Sequence, residues 1–107
     1  MGIGVDIVDL NRINIDSDHF VRRILTDREF EVYSRFSSNY AKREYLGGRF
    51  AAKEAYMKAC GLGIGQISFQ DIEVLNYESG APYLNDPQAL VSISHEKDYA
   101  IAFVIKT

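Results

Sequence analysis

The feature that most constrains this sequence is a long predicted helix with two adjacent glycines in its interior. The helical pattern runs from about residue 40 to residue 60, with small side chains recurring along one face. Those small-face positions are Ala41, Tyr45, Gly48, Ala52, Ala55 and Ala59. A glycine inside a helix costs roughly 1 kcal/mol relative to alanine. Gly47 and Gly48 therefore predict that a sheet, another helix or a ligand approaches this helix closely.

Shorter elements surround the long helix. Two short helices are predicted before it: one capped within residues 16–18, and one opened by a capping box of Thr26 and Glu29. Alternating or β-branched runs predict strands at residues 2–8, 66–75, 83–84, 91–95 and 99–105, the last two joined by a tight hairpin. The pattern indicates an α+β fold, a small antiparallel sheet packed on a long helix, in one domain over residues 1–107.

Composition narrows the class of protein. The chain has 107 residues and a net charge of -3, which argues against general nucleic-acid binding. No stretch approaches the roughly 20 apolar residues of a membrane helix, and the first residues lack the pattern of a signal peptide. The single cysteine, Cys60, excludes an internal disulfide. We therefore expect a cytoplasmic protein that binds neither nucleic acid nor membrane.

A glycine-rich run follows the long helix at residues 61–65. It superficially resembles a nucleotide-binding loop, but a phosphate-binding glycine loop follows a strand and opens a helix. This run follows a helix and precedes a predicted strand. We interpret it as a helix C-cap followed by a turn.

Two carboxylates have unusual sequence settings. Asp6 follows an apolar strand pattern, and Glu54 lies in the apolar stretch of the long helix. Two hard oxygen ligands near cationic side chains suit Mg²⁺ holding a diphosphate. Each residue also has an ordinary alternative: Asp6 can cap the turn at residues 9–13, and Glu54 can pair with Lys58 four residues later.

Other candidate residues are weaker when taken singly. His95 follows an apolar strand, where it is either a hydrogen-bonded structural residue or a contact to a phosphate or base. Arginines cluster early in the chain, at positions 12, 22, 23 and 28. They form either a solvated helix face or a patch for an acidic partner.

Taken in order, these fragments resemble the holo-acyl-carrier-protein synthases, the small bacterial 4′-phosphopantetheinyl transferases. The resemblance covers almost the whole chain. Its most specific part is the helix segment at residues 49–55 with Lys58. The other matching parts are residues 2–8 with Leu10, Arg12 and Ile13, residues 20–26 with Glu29, and residues 61–63, 80–82, 92–95 and 99–102.

This resemblance implies an activity. Members of the family transfer the 4′-phosphopantetheine arm of coenzyme A to a serine of apo-acyl carrier protein, releasing adenosine 3′,5′-bisphosphate, in support of fatty acid biosynthesis. The reaction depends on Mg²⁺. The family is trimeric, with coenzyme A held at subunit interfaces. We therefore expect a homotrimeric, Mg²⁺-dependent transferase with the 4′-phosphopantetheinyl transferase fold.

The resemblance also implies roles for individual residues. The catalytic set would be Asp6, Glu54 and Lys58, with the two carboxylates as metal ligands. Coenzyme A would be contacted at its phosphates and adenine, and the acidic carrier protein at a basic patch. The coenzyme A contacts would be Arg49, Lys58, His95 and the turn from Gly80 to Pro82; the carrier contacts would be Arg12, Arg22 and Arg23.

One departure from the family pattern concerns the segment between the turn and the penultimate strand. Only residues 83–91 lie there, whereas family members usually have a longer, often helical segment. We expect the shorter segment to change peripheral packing and subunit contact more than the chemistry of the active site. Two alternatives stay open: a non-catalytic relative that binds coenzyme A or carrier protein, and a structural domain with incidental charges.

Overall fold

The computed structural model describes residues 1–63 and 65–107. Within them, a long helix carries a three-stranded sheet on one side and two short helices on the other. No helix in this part of the chain is long and apolar enough to cross a membrane. The helices are α1 (Asp18–Ile24), α2 (Asp27–Tyr33) and α3 (Asn39–Ala59); the strands are β1 (Gly2–Asp9), β2 (Val74–Asn76), β3 (Pro82–Leu84), β4 (Ala89–Glu96) and β5 (Tyr99–Lys106).

The main sheet has the order β1-β5-β4, and both of its pairings are antiparallel. Strands β2 and β3 form a separate antiparallel pair. The inner face of the main sheet packs on α3, where Ala102 and Val104 of β5 are almost completely buried. This arrangement confirms the predicted α+β class and the packing of a small antiparallel sheet on a long helix.

Glycines allow the sheet to lie directly against α3. A Cβ atom at Gly4 of β1 would overlap the carbonyl oxygen of Ala55, and one at Gly47 would overlap the side chain of Leu10. At Gly48 a Cβ would lie 3.1 Å from the His95 imidazole of β4. The close approach predicted from the two helical glycines is therefore confirmed.

Side-chain caps define where the helices begin. The hydroxyls of Ser17, Thr26 and Ser38 accept hydrogen bonds from backbone amides in the first turns of α1, α2 and α3. The predicted capping box of Thr26 and Glu29 is present, because Glu29 also accepts from the Thr26 amide. These starts were predictable because each depends on residues three positions apart.

The end of α3 follows the predicted C-cap. The amide of Gly61 donates to Lys58 and that of Leu62 donates to Met57, which is the hydrogen-bond pattern of a Schellman motif. Gly61 takes the left-handed conformation that this motif requires, with φ of 68°. The turn predicted over residues 61–65 also includes Ile64, which lies outside the described residues.

The strand predicted at residues 66–75 is mostly wrong. A single 3₁₀ turn, Phe69–Asp71, occupies the centre of this segment, and β2 begins only at Val74. The side chains of Ser68 and Asp71 form a second capping box around the turn. The alternation of apolar residues is therefore produced by a capped turn and not by extended backbone.

The short connection between β3 and β4 is held by Asp86. Its carboxylate accepts hydrogen bonds from Tyr56 of α3 and Lys106 of β5, both at 2.7 Å. Lys106, Tyr56 and the backbone amide of Gln88 together lower the pKa of Asp86 to about 2. In this chain, β3 and β4 are thus joined by a short turn that Asp86 connects to α3 and β5.

Candidate functional site

Asp6 lies in the interior of β1, opposite Ala102 of β5. The prediction that it ends the strand was wrong, because β1 continues to Asp9 and Asp9 caps the following 3₁₀ turn. The Asp6 side chain is 18% exposed, and Lys58 of α3 lies 3.3 Å from its Oδ1 atom. Lys58 also donates to the carbonyl of Val5 at 3.0 Å. The predicted alternative, a cap at the turn, is thus excluded for Asp6.

Glu54 lies one helical turn before Lys58 and is half-buried. Burial raises the pKa of Glu54, Asp6 raises it further, and Lys58 opposes both. Among the described residues Lys58 forms its ion pair with Asp6 and not with Glu54, so the predicted i, i+4 pair is wrong. Lys58 of α3 contacts Asp6, and Gly4 of β1 lies against Ala55 of α3, so both carboxylates lie where β1 packs on α3.

These two carboxylates fit a hard cation. The described residues contain no group of three or more histidine, cysteine, aspartate or glutamate side chains able to hold a metal, so the pair does not resemble a zinc site. Mg²⁺ commonly takes one or two carboxylates and completes its shell with water and substrate phosphates. A cation there would also relieve the repulsion that raises the pKa of Glu54.

His95 lies apart from this pair within one chain. It is in the sheet row Val8, Ala100 and His95, whereas Asp6 is two rows further along the sheet and two strands away. With strands 4.7–4.9 Å apart, the separation across the sheet is about 10 Å. The exposed imidazole stands over Gly48, six residues before Glu54 on α3. The fold does not bring His95 to the Asp6 carboxylate of the same chain.

Arg49 is a buried residue, only 6% exposed. Its guanidinium donates to the carbonyl of Val74 and to the side chain of Asn76, and it lies 4.1 Å from the ring centre of Tyr45. Burial lowers the pKa of Arg49. In this geometry, Arg49 fixes β2 to α3. Its contact to a phosphate of coenzyme A stays a prediction from the family resemblance.

The turn from Gly80 to Pro82 is connected to Arg49 through Asn76. The Asn76 amide accepts from Arg49 and donates to the carbonyl of Gly80 at 2.9 Å. Gly80 has φ of 94°, a conformation that favours glycine. The turn is exposed at Gly80 and Ala81. It is therefore a fixed surface feature, as a contact to adenine would require.

The predicted basic patch is divided by the fold. Arg23 lines a cleft of about 490 Å³ together with Glu54, and Arg12 lines a neighbouring groove of about 500 Å³. Both depressions include Phe20 of α1 and Phe50 of α3. Arg12 and Arg23 thus flank one aromatic surface next to Glu54.

Arg22 has a different setting from these two arginines. Its guanidinium stacks on the ring of Phe30 at 3.6 Å, which directs it toward α2. Stacking of this kind contributes about 0.5–2 kcal/mol and restrains the side chain. The structure therefore does not group Arg22 with Arg12 and Arg23.

Sequence reasoning missed an ion pair directly beside Glu54. The ammonium of Lys53 lies 2.6 Å from Glu29 of α2, and both side chains are completely buried. Lys53 also donates to the carbonyls of Ile24 and Phe69, while Glu29 accepts from the amide of Val74. The only signal in the sequence was the capping box at Glu29, which indicated a local role and not a buried partner.

Comparison with known proteins identifies the superfamily of this chain. Residues 2–104 match the sequence profile of the 4′-phosphopantetheinyl transferase superfamily. The holo-(acyl-carrier-protein) synthase of Oceanobacillus iheyensis is 47% identical, with the alignment covering 97% of this chain and 93% of the relative. The chain therefore belongs to the holo-(acyl-carrier-protein) synthase family of that superfamily.

Solved structures agree with this assignment. The holo-(acyl-carrier-protein) synthase of Bacillus anthracis, in complex with CoA (3′,5′-ADP), matches with a TM-score of 0.88 and 48% identity, covering 96% of this chain and 92% of the other. The Helicobacter pylori enzyme in complex with coenzyme A matches with a TM-score of 0.83 and 31% identity, covering 98% and 99%. The predicted fold family is thus confirmed.

Proposed function

We propose that this protein transfers the 4′-phosphopantetheine group of coenzyme A to a serine of apo-acyl carrier protein. In this reaction, the serine hydroxyl gives up its proton, which passes finally to solvent, and its oxygen forms a bond to the pantetheine-side phosphorus. The bond from that phosphorus to the bridging oxygen breaks, and adenosine 3′,5′-bisphosphate leaves. The observation that carries the proposal is the juxtaposition of Asp6, Glu54 and Lys58 in a chain of this family.

In the proposed site, Asp6 and Glu54 would hold Mg²⁺, which when bound neutralises charge on the diphosphate oxygens. Lys58, 54% exposed and anchored through the carbonyl of Val5, would contribute a second positive charge to the same phosphates. The Val5 carbonyl fixes the position of Lys58, because the ammonium would keep this hydrogen bond even when the Asp6 carboxylate binds a metal. The turn from Gly80 to Pro82 would receive the adenine.

The partner surface in this proposal consists of Arg12, Arg23, Phe20 and Phe50. The aromatic rings lie between the two depressions, and the exposed arginines stand on either side. An acidic helix carrying the reacting serine would place its apolar side chains on the rings and its carboxylates near the arginines. Charge complementarity of this kind raises the encounter rate more than the affinity. Because Glu54 lines the same cleft, docking would bring the serine to the metal ligands.

We expect Arg12→Glu to raise the KM for acyl carrier protein by roughly tenfold, with most of the effect lost at high salt. Binding of coenzyme A, measured by calorimetry, should be unchanged. Arg35→Glu is the matched control, because it makes the same charge change at an exposed position in the turn after α2. An equal loss of coenzyme A binding in Arg12→Glu would contradict the docking role.

The outer face of the main sheet supports self-association as a homotrimer. It carries adjacent apolar side chains from β1 and β5, including Ile7 at 63% exposed and Phe103 at 42%. The other exposed apolar residues of this face are Ile3, Val5, Leu90, Tyr99 and Ile101. A contiguous exposed apolar patch of this kind marks an interaction surface on a folded protein.

The position of His95 supports the proposal of a shared site, in which the imidazole would contact a diphosphate held at Asp6 of a neighbouring chain. If His95 serves the Asp6 carboxylate of a neighbouring chain, Asp6→Asn and His95→Ala should each be nearly inactive alone. After subunit exchange of an equal mixture, about a quarter of the sites would combine both intact residues in a cyclic assembly. Native mass spectrometry would report the mixed trimers. Activity that stays at the level of the separate variants, despite mixed trimers, would exclude sharing.

The function is tested by intact-mass spectrometry of apo-acyl carrier protein incubated with this protein, coenzyme A and Mg²⁺. We expect a mass gain of one phosphopantetheine group that disappears with chelator. No gain with several carrier proteins, from a folded sample that still binds coenzyme A, would favour the non-catalytic alternative. The cytoplasmic location stays a prediction from sequence.

A further inference from the structure

Gln70 makes an unusual set of hydrogen bonds for an exposed residue. From the 3₁₀ turn Phe69–Asp71, its side-chain amide nitrogen donates to the carbonyls of Arg22 at 2.5 Å and Leu25 at 2.6 Å. The carbonyl of Arg23 lies 3.5 Å from the same nitrogen. These carbonyls belong to the C-terminal end of α1, where backbone acceptors have no partner within the helix. Gln70 therefore ties the turn to the end of α1 from the solvent side.

A second tie joins the same two elements from the inside. The buried ammonium of Lys53 donates to the carbonyl of Ile24, the last residue of α1, at 2.6 Å. It also donates to the carbonyl of Phe69, the first residue of the turn, at 3.0 Å. The spacing between α1 and the turn is thus set by donors on both of its faces.

These two elements both line the cleft that contains Glu54. Phe20 and Arg23 line it from α1, and Ser68 and Phe69 line it from the turn. Glu54 lines the cleft from α3, directly after Lys53 in sequence. A change in the spacing of α1 and the turn would therefore change the width of the cleft beside Glu54.

We infer that Gln70 is a positioning residue that holds this cleft at the width the serine-bearing segment of the carrier protein requires. The inference rests on the proposed function, since it assumes that the carrier approaches Glu54 through the cleft. A cleft held open in the free protein avoids an ordering cost on binding, which strengthens association without a new contact. Gln70 would act through the walls and not by touching the reacting atoms.

The test is Gln70→Met, which keeps the length of the side chain and its neutrality but removes the donors. We expect the KM for acyl carrier protein to rise about tenfold. A tenfold change in affinity corresponds to the loss of one or two hydrogen bonds. The kcat and the KM for coenzyme A should stay within about twofold, because the lost interaction affects carrier binding in the ground and transition states equally. Gln88→Met is the matched control at the residue before β4, outside the lining of the cleft, and should leave all constants unchanged.

Three results separate the possible failures. An unchanged KM for the carrier in Gln70→Met, while the wild-type protein transfers normally, would overturn the positioning role. A fall in kcat with an unchanged carrier KM would also overturn it, since it would assign Gln70 to the chemistry. Absence of transfer by the wild-type protein would overturn the proposed function itself, and this inference with it. Thermal melts of both variants establish that each is folded.

Discussion

Glu54→Gln is expected to reduce phosphopantetheine transfer by roughly a thousandfold, since a metal ion supplies several kcal/mol of charge stabilisation. Glutamine keeps the size of the side chain but lowers its affinity for a hard cation. The substitution also removes the repulsion with Asp6 that contributes to the raised pKa of Glu54. The folded protein should therefore be as stable as wild type, or slightly more so. Rates are measured by the mass shift of the carrier protein over a Mg²⁺ titration.

The control for this prediction is Glu31→Gln, which makes the same charge change at an exposed residue of α2. It should transfer at the wild-type rate. If Glu54→Gln lost activity only at low Mg²⁺ and recovered fully at high Mg²⁺, Glu54 would contribute affinity for the ion and not transition-state stabilisation. Unimpaired transfer at every Mg²⁺ concentration would remove Glu54 from the site.

The parts of the fold that the sequence predicted depend on residues close together in the chain. The capping box of Thr26 and Glu29 and the C-cap at Gly61 follow from local backbone hydrogen bonds. Gly47 and Gly48 also gave the correct signal, because a helix keeps such residues only where something lies against them. The segment around Phe69 was wrongly predicted to be a strand, because a capped turn and a short strand both alternate apolar and polar residues.

The parts that could not be predicted depend on partners distant in the chain. The ordinary alternative for Lys58 was a pair with Glu54 four residues away, but β1 presents Asp6 to it instead. Arg49 is predicted to contact a phosphate because of its place in the family motif, and nothing in the sequence indicated that it also bonds β2. In each case the sequence shows a charged residue, and only the packing of another strand on α3 decides whether that charge faces a ligand or the core.

Lys53→Met is expected to destabilise the fold by about 3–5 kcal/mol, because it leaves the buried carboxylate of Glu29 without its cation. The loss is a large share of the free energy of unfolding of a domain of this size. It also removes the donor that joins the end of α1 to the turn at Phe69. Urea denaturation followed by circular dichroism measures the change. Lys58→Met is the matched control on the same helix and should cost no more than about 1 kcal/mol, since that ion pair is exposed.

A double variant identifies the origin of this loss. Replacing Glu29 by Gln together with Lys53→Met removes the uncompensated charge, so we expect the pair to be less destabilised than the sum of the two single variants. Recovery of stability should be partial. The two carboxylate oxygens of Glu29 accept hydrogen bonds from the amides of Thr26 and Val74, and glutamine has only one carbonyl oxygen to accept them. Strictly additive losses would mean that Lys53 stabilises the fold through the carbonyls of Ile24 and Phe69 alone. The same buried ammonium would then act as a link between α1 and the turn, and Glu29 would serve only to cap α2 and hold β2.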